Sequence, residues 1–151
     1  MHIIEVYEAA PPRKAFSFAW TEANGQRGSS EIGTALLKWF ETLPADVKET
    51  SLFSDTCSGQ NRNQYIAALC MYVVQNTDLN KIEHKFFEKG HSHMEADSMH
   101  SAIESAKRYV KVNCMQDWLT IFRIARLKCI KNKTGNAYKV QTLKFDDFVK
   151  L

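Results

Sequence analysis

The sequence predicts an α/β protein in which a mixed sheet is flanked by helices. Three observations carry this. Five short stretches rich in β-branched and aromatic residues are separated by turn signals. Four longer stretches repeat apolar residues at helical spacing. Their order, β-β-α-β-α-β-α-α-β with a short closing helix, alternates the two types as a helix-covered sheet requires. With 151 residues and no repeat, linker or low-complexity run, residues 1–151 are expected to form a single domain with a real core.

The elements follow in order. His2–Glu8 and Arg13–Trp20 are strands, and Ala9-Ala10-Pro11-Pro12 between them is a turn neither could absorb, so they should pair as an antiparallel hairpin. Ile4 and Val6 point one way, and Phe16, Phe18 and Trp20 form a period-two set. Ala23–Gly28 is a loop whose two glycines suit positive φ. It lacks the spacing and lysine of a phosphate-binding loop. Ser29-Ser30-Glu31 offers an N-cap and a first-turn carboxylate for a helix carrying Ile32, Leu36, Phe40 and Leu43, ending at Pro44.

Thr50–Asp55 is the next strand. Gln64–Gln75 is a helix apolar around most of its circumference and is expected to be deeply packed. Lys81–Phe87 is a strand with Ile82, His84 and Phe86 on one face, where His84 reads as a hydrogen-bonded sheet residue. Lys89–His93 is a loop, and helices are expected over about His93–Tyr109 and Asp117–Leu127. The second should bury Trp118, Ile121, Phe122 and Ala125, and Trp39 is also a core candidate. Lys131–Asn136 is a polar turn, Tyr138–Leu143 a strand and Phe145–Leu151 a short helix.

Composition narrows the functional classes. An apolar content of 44% and a charged content of 25% are ordinary for a globular chain. The net charge of +3 permits nucleic-acid contact without arguing for it. No apolar run is long enough to span a bilayer, and the N-terminus does not read as a signal peptide. Cys57, Cys70, Cys114 and Cys129 form no CxxC pair and read as buried free thiols of an intracellular reducing compartment, nuclear or cytoplasmic.

Thr50–Asn63, TSLFSDTCSGQNRN, is the stretch around which the chain is organised. It reads as strand, acidic tip, polar loop and helix start, and in α/β sheets ligands collect beyond the carboxyl ends of strands. Asp55 at that tip can hold a metal or act as acid or base.

A second candidate site lies on the helix beginning near His93. At ~100° per residue, His93, Asp97, His100 and Glu104 share one stripe, while Met99, Ile103, Ala106 and Val110 form an apolar one. Three readings of the polar stripe stand: a solvated face; zinc held by His91, His93, His100 and Cys57; or Asp97 paired with Asp55 around divalent metal. The zinc spacing matches no closed structural site, so zinc ranks behind Mg2+ or Mn2+. Two close carboxylates repel without a cation, and paired divalent ions can clamp a phosphodiester. The C-terminal third is basic through Lys107, Arg108, Lys111, Arg123, Arg126, Lys128, Lys131 and Lys133. That is either a solvated surface or a phosphate-backbone track.

SDTCSGQNRNQYIAAL followed by FFEKGHSHMEADSMHSAIE resembles the core of a eukaryotic domain family related to transposases and retroviral integrases, with an RNase H-like fold and a DDE-type acidic triad. The resemblance takes in Trp20-Thr21-Glu22, Arg27–Ile32, Asp117-Trp118 and Lys144–Phe148, so it covers nearly the whole chain. It implies that Asp55 is the second acid and Asp97 the third, with His91, His93 and Glu95 beside it. Gln60, Asn61 and Arg62 would then touch phosphate or base edges. It implies DNA as substrate or partner, and Mg2+ or Mn2+ as cofactor.

The sequence departs from that pattern in one respect. The hairpin matches the fold's second and third strands, so the first strand and its Asp are expected to lie upstream of Met1 or to be lost. Glu5 and Glu22 are nearby carboxylates but match no family position. The expected consequence is a truncated or degenerate fold with open inner strand edges. Tyr138–Leu143, a protein partner or self-association could fill them.

Overall fold

The structure is a computed structural model. It describes residues 1–10, 14–88, 95–131 and 138–151, and of these the backbone alone at 95–98, 126–131 and 138. The fold is mixed α/β, with five strands and four α-helices among the described residues. Its contacts group into two compact units, Met1–Asn24 with His93–Lys144 and Gly25–Ser92 with Phe145–Leu151.

In the first unit, β1 (His2–Glu8) and β2 (Lys14–Trp20) pair antiparallel, with His2 opposite Trp20 and Glu8 opposite Lys14. The expected hairpin is therefore present, its Pro11–Arg13 connection lying outside the described residues. β5 (Tyr138–Thr142) adds to the other side of β2 in parallel, giving the order β1-β2-β5. This differs from the expectation that Tyr138–Leu143 would fill the hairpin's inner edge. The reason lies in β2, AFSFAW, which is buried on both faces from Ala15 to Trp20. A strand apolar on both faces is stabilised at the centre of a sheet, with a neighbour on each side.

Two helices, α3 (Glu95–Lys107) and α4 (Met115–Lys131), pack on each other. α3 also meets β1, and α4 meets β5. Their core is Ile103, Ala106, Ile121, Phe122 and Ala125 around Ala19, with Ile3 and Val140 packed against it. The apolar stripe Met99–Ile103–Ala106 is buried as its spacing required, whereas His100 and Glu104 are exposed. Trp118 is half-buried, its ring beneath the Lys107 ammonium at 5.1 Å.

In the second unit, α1 (Ser29–Phe40) is capped by Gly28, one residue before the expected Ser29. Glu31 explains the shift. Its carboxylate accepts from the Gly28 N–H at 3.1 Å and the Gln26 N–H at 2.9 Å. The loop glycines do not adopt positive φ. Gly25 is instead needed for space, since a Cβ there would lie 2.8 Å from the Phe148 ring. α1 ends at Phe40 and two turn bonds carry the chain to Leu43, before Pro44.

β3 (Glu49–Ser54) and β4 (Lys81–Phe86) form a parallel ribbon joined through α2 (Gln64–Asn76). Only one face of α2 is buried, through Ile66, Leu69 and Val73, while Tyr65, Met71 and Tyr72 are exposed. The expected all-round packing is corrected accordingly. The C-terminal segment forms one 3-10 turn, Phe145–Asp147, rather than a helix to Leu151. It is tied down where the Val149 N–H donates to Thr34 Oγ1 at 2.8 Å. No helix among the described residues is long and apolar enough to cross a membrane.

Candidate functional site

The loop after β3 is built from its own side chains. Asp55 Oδ1 accepts from the Cys57 N–H at 3.1 Å and from the Asn61 amide at 2.6 Å. The Cys57 carbonyl then accepts from the N–H groups of Gln60, Asn61 and Arg62 at 2.8–3.2 Å. Asn63 closes the loop and starts the helix. Its Oδ1 accepts from the N–H groups of Tyr65 and Ile66, each at 3.1 Å. Its Nδ2 donates to the carbonyls of Ser58 and Gln60, both at 3.1 Å. An Asx turn, a tight turn and an N-cap thus follow directly from Asp, Asn and Asn at positions 55, 61 and 63.

The loop forms one end of a groove of about 770 Å³ between α2 and β4. Arg62, Cys70, Met71, Lys81, His84 and Phe86 are among its lining residues. The Arg62 guanidinium lies over the Phe86 ring at 5.5 Å, and the His84 ring stacks on Phe86 at 4.2 Å. His84 Nε2 is 2.8 Å from Ser54 Oγ, so His84 is the hydrogen-bonded sheet residue expected. Burial pulls its pKa below the usual imidazole value, which favours the neutral ring. Burial likewise pushes the Cys70 thiol up. On β4, Lys81 and Lys85 hold Glu83 between them at 2.7 and 2.9 Å and pull its carboxyl down to about 2.

The predicted site residues separate into three sets. Asp55, Gln60, Asn61 and Arg62 come together on this one loop, with Asp55 and Arg62 exposed. His100, Lys107 and Arg108 belong to α3 and its C-terminal end in the other unit. Asp97 and Glu95 are placed on α3 by backbone alone, and His91 and His93 lie outside the described residues. Lys107 is engaged by Trp118 and by Glu104 at 3.8 Å. Cys57 and Cys114 are exposed and Cys70 is half-buried, which corrects the expectation of buried thiols; the Cys129 side chain is outside the described set.

One further carboxylate stands out by its surroundings. Glu5, in the middle of β1, is 2% exposed at its side chain, and neither carboxylate oxygen has a hydrogen-bond partner among the described residues. Burial pushes its pKa up to about 7. His100 Nε2 of α3 lies 3.3 Å from Glu5 Oε2. The available signal was Ile3-x-Glu5-x-Tyr7, a lone charge on an otherwise apolar period-two face.

Fold and site together define a mixed α/β protein with an Asx-closed polar loop at the carboxyl end of a parallel strand. The chain belongs to the family described as a domain of unknown function (DUF7869), whose model matches residues 9–145. No curated protein and no solved structure matches it.

Proposed function

We propose that this chain is an RNase H-like domain of transposase and integrase lineage that acts on or binds DNA phosphodiesters. The carrying observation is the Asp55–Asn63 loop: an exposed carboxylate at the carboxyl end of β3, followed by a turn that presents Gln60 and Arg62 beside a groove. The antiparallel hairpin followed by a parallel βαβ ribbon is compatible with that lineage.

The donor chemistry at Asp55 fits Mg2+ or Mn2+ as one hard oxygen ligand, since Oδ1 is engaged by neutral amides and the group faces water. Asp55 would hold the ion, with its remaining positions open to water and to a phosphate oxygen. When bound, the ion supplies charge neutralisation at the attacked phosphorus. The chain's own residues orient and bind. Asn61 fixes the Asp55 carboxylate, and Phe86 braces the Arg62 guanidinium for a phosphate oxygen.

A second reading is a catalytically inactive descendant that keeps a DNA- or protein-binding surface, with partner contact or self-association at an open sheet edge. The 2.6 Å bond from Asn61 to Asp55 favours it, because that carboxylate already has a structural task. Fluorescence anisotropy with duplex and single-stranded DNA, combined with Mn2+ relaxation broadening, tests both. The catalytic reading expects salt-sensitive binding weakened by Arg62→Ala, and broadening at Asp55–Asn63 abolished by Asp55→Ala. Binding without a metal response supports the inactive descendant. Absence of both responses overturns the proposal.

A further inference from the structure

Glu5 is a carboxylate placed where a strand would ordinarily bury an aliphatic side chain. Ile3, two residues before it on the same face of β1, packs into the core formed by α3, α4 and β2. Glu5 lies opposite the buried Ser17, and the flanking cross-strand positions are Ala19 and Ala15. These small residues leave room above β2 for a longer side chain to reach α3. Its side chain is 2% exposed, yet neither oxygen receives a hydrogen bond from a described residue. A buried carboxylate in that condition is unfavourable unless it is protonated or meets a cation.

The group it meets is His100. The Nε2–Oε2 separation of 3.3 Å is within ion-pair range, but the geometry does not make a hydrogen bond. The nitrogen and oxygen are therefore adjacent without pointing at one another. Two ligands that converge on a common ion have this relation. With metal–nitrogen and metal–oxygen bonds of ~2.0–2.2 Å and angles between square and tetrahedral, the donor atoms sit roughly 2.8–3.6 Å apart. The observed distance falls in that span. His100 is 53% exposed, so the far side of such an ion would be open to water or to a further ligand. Asp97 and Glu104 lie one turn before and one turn after His100 along α3. Among the described residues no third ligand completes the set.

We propose that Glu5 and His100 form the protein half of a site for a divalent transition cation of the Zn2+ type, with its remaining positions open to solvent. An imidazole and a carboxylate suit that ion class better than Mg2+, which prefers oxygen ligands. The site takes no ligand from the Asp55 loop and does not rest on the reading above. Loss of one therefore leaves the other standing.

The test is calorimetric titration of the EDTA-stripped full chain with Zn2+, repeated with Co2+ to read the ligand field by visible absorption. Wild type is expected to bind one ion through Glu5 and His100. Glu5→Gln and His100→Ala should each weaken binding by about tenfold or more, while Asp55→Ala leaves it unchanged. His100 is exposed, so His100→Ala carries the test if Glu5→Gln does not fold. No binding by wild type, binding that survives His100→Ala, or binding removed by Asp55→Ala would overturn the assignment.

Discussion

Asp55 and Glu5 are both strand-associated carboxylates, and their surroundings are opposite. Asp55 lies in water at the end of β3, and one of its oxygens is engaged twice by its own loop. Glu5 lies under α3, removed from water, and neither of its oxygens receives a hydrogen bond from a described residue. The first carboxylate builds structure with two nearby residues, Cys57 and Asn61, and stays accessible. The second is held by long-range packing and receives no hydrogen bond from a described residue. Acidity alone thus says little about function in this chain. What separates the two groups is the reach of local donors: Cys57 N–H and the Asn61 amide meet Asp55, and among the described residues none meets Glu5.

The largest expected consequence concerns pH. Glu5 has a folded pKa of about 7 against an ordinary value of 4.5. Between those values the folded state holds a proton that the unfolded chain has released, so stability falls as pH rises. The contribution is fully present below the unfolded value and is lost as pH passes the folded one. At ~1.4 kcal/mol per pH unit the metal-free protein should lose about 3 kcal/mol across that window. Urea denaturation at stepped pH checks this, and Glu5→Gln should flatten the dependence. A flat wild-type profile would mean that Glu5 is not a buried acid.

On the other side of the comparison, Asn63→Ala removes the α2 cap and both carbonyl contacts of the loop. A cost of about 1–2 kcal/mol is expected, with only the cap share restored by Asn63→Asp, since a carboxylate cannot donate to the Ser58 and Gln60 carbonyls. Asn61→Ala should cost less, about 1 kcal/mol, and should speed amide exchange at Cys57 by freeing Asp55. The smallest effect belongs to Glu83→Gln. Although Lys81 and Lys85 depress its pKa, it is a solvated surface group. Its replacement should leave the melting temperature unchanged at moderate salt.

Much of the local structure was legible in the residues. The hairpin follows from two β-rich runs around a Pro-Pro pair, and β4 from the alternation of Ile82, His84 and Phe86. The loop is encoded by Asp55, Asn61 and Asn63 within nine positions, so its bonds are short-range. The rest depends on contacts distant in sequence. The all-apolar look of α2 did not say which face is covered, because Tyr65, Met71 and Tyr72 tolerate water. The pairing of β5 with β2 joins segments more than a hundred residues apart, and turn chemistry says nothing about it. Glu5 reads as a polar interruption of a strand. Its isolation arises only when α3 closes over β1.

The contrast between the two carboxylates is tested most directly by carbon-13 NMR titration of the Glu5 side-chain carboxyl in metal-free protein. The account predicts a midpoint near the folded value of about 7. A midpoint at the ordinary 4.5 of a solvated glutamate would contradict it, and would return Glu5 to the open surface.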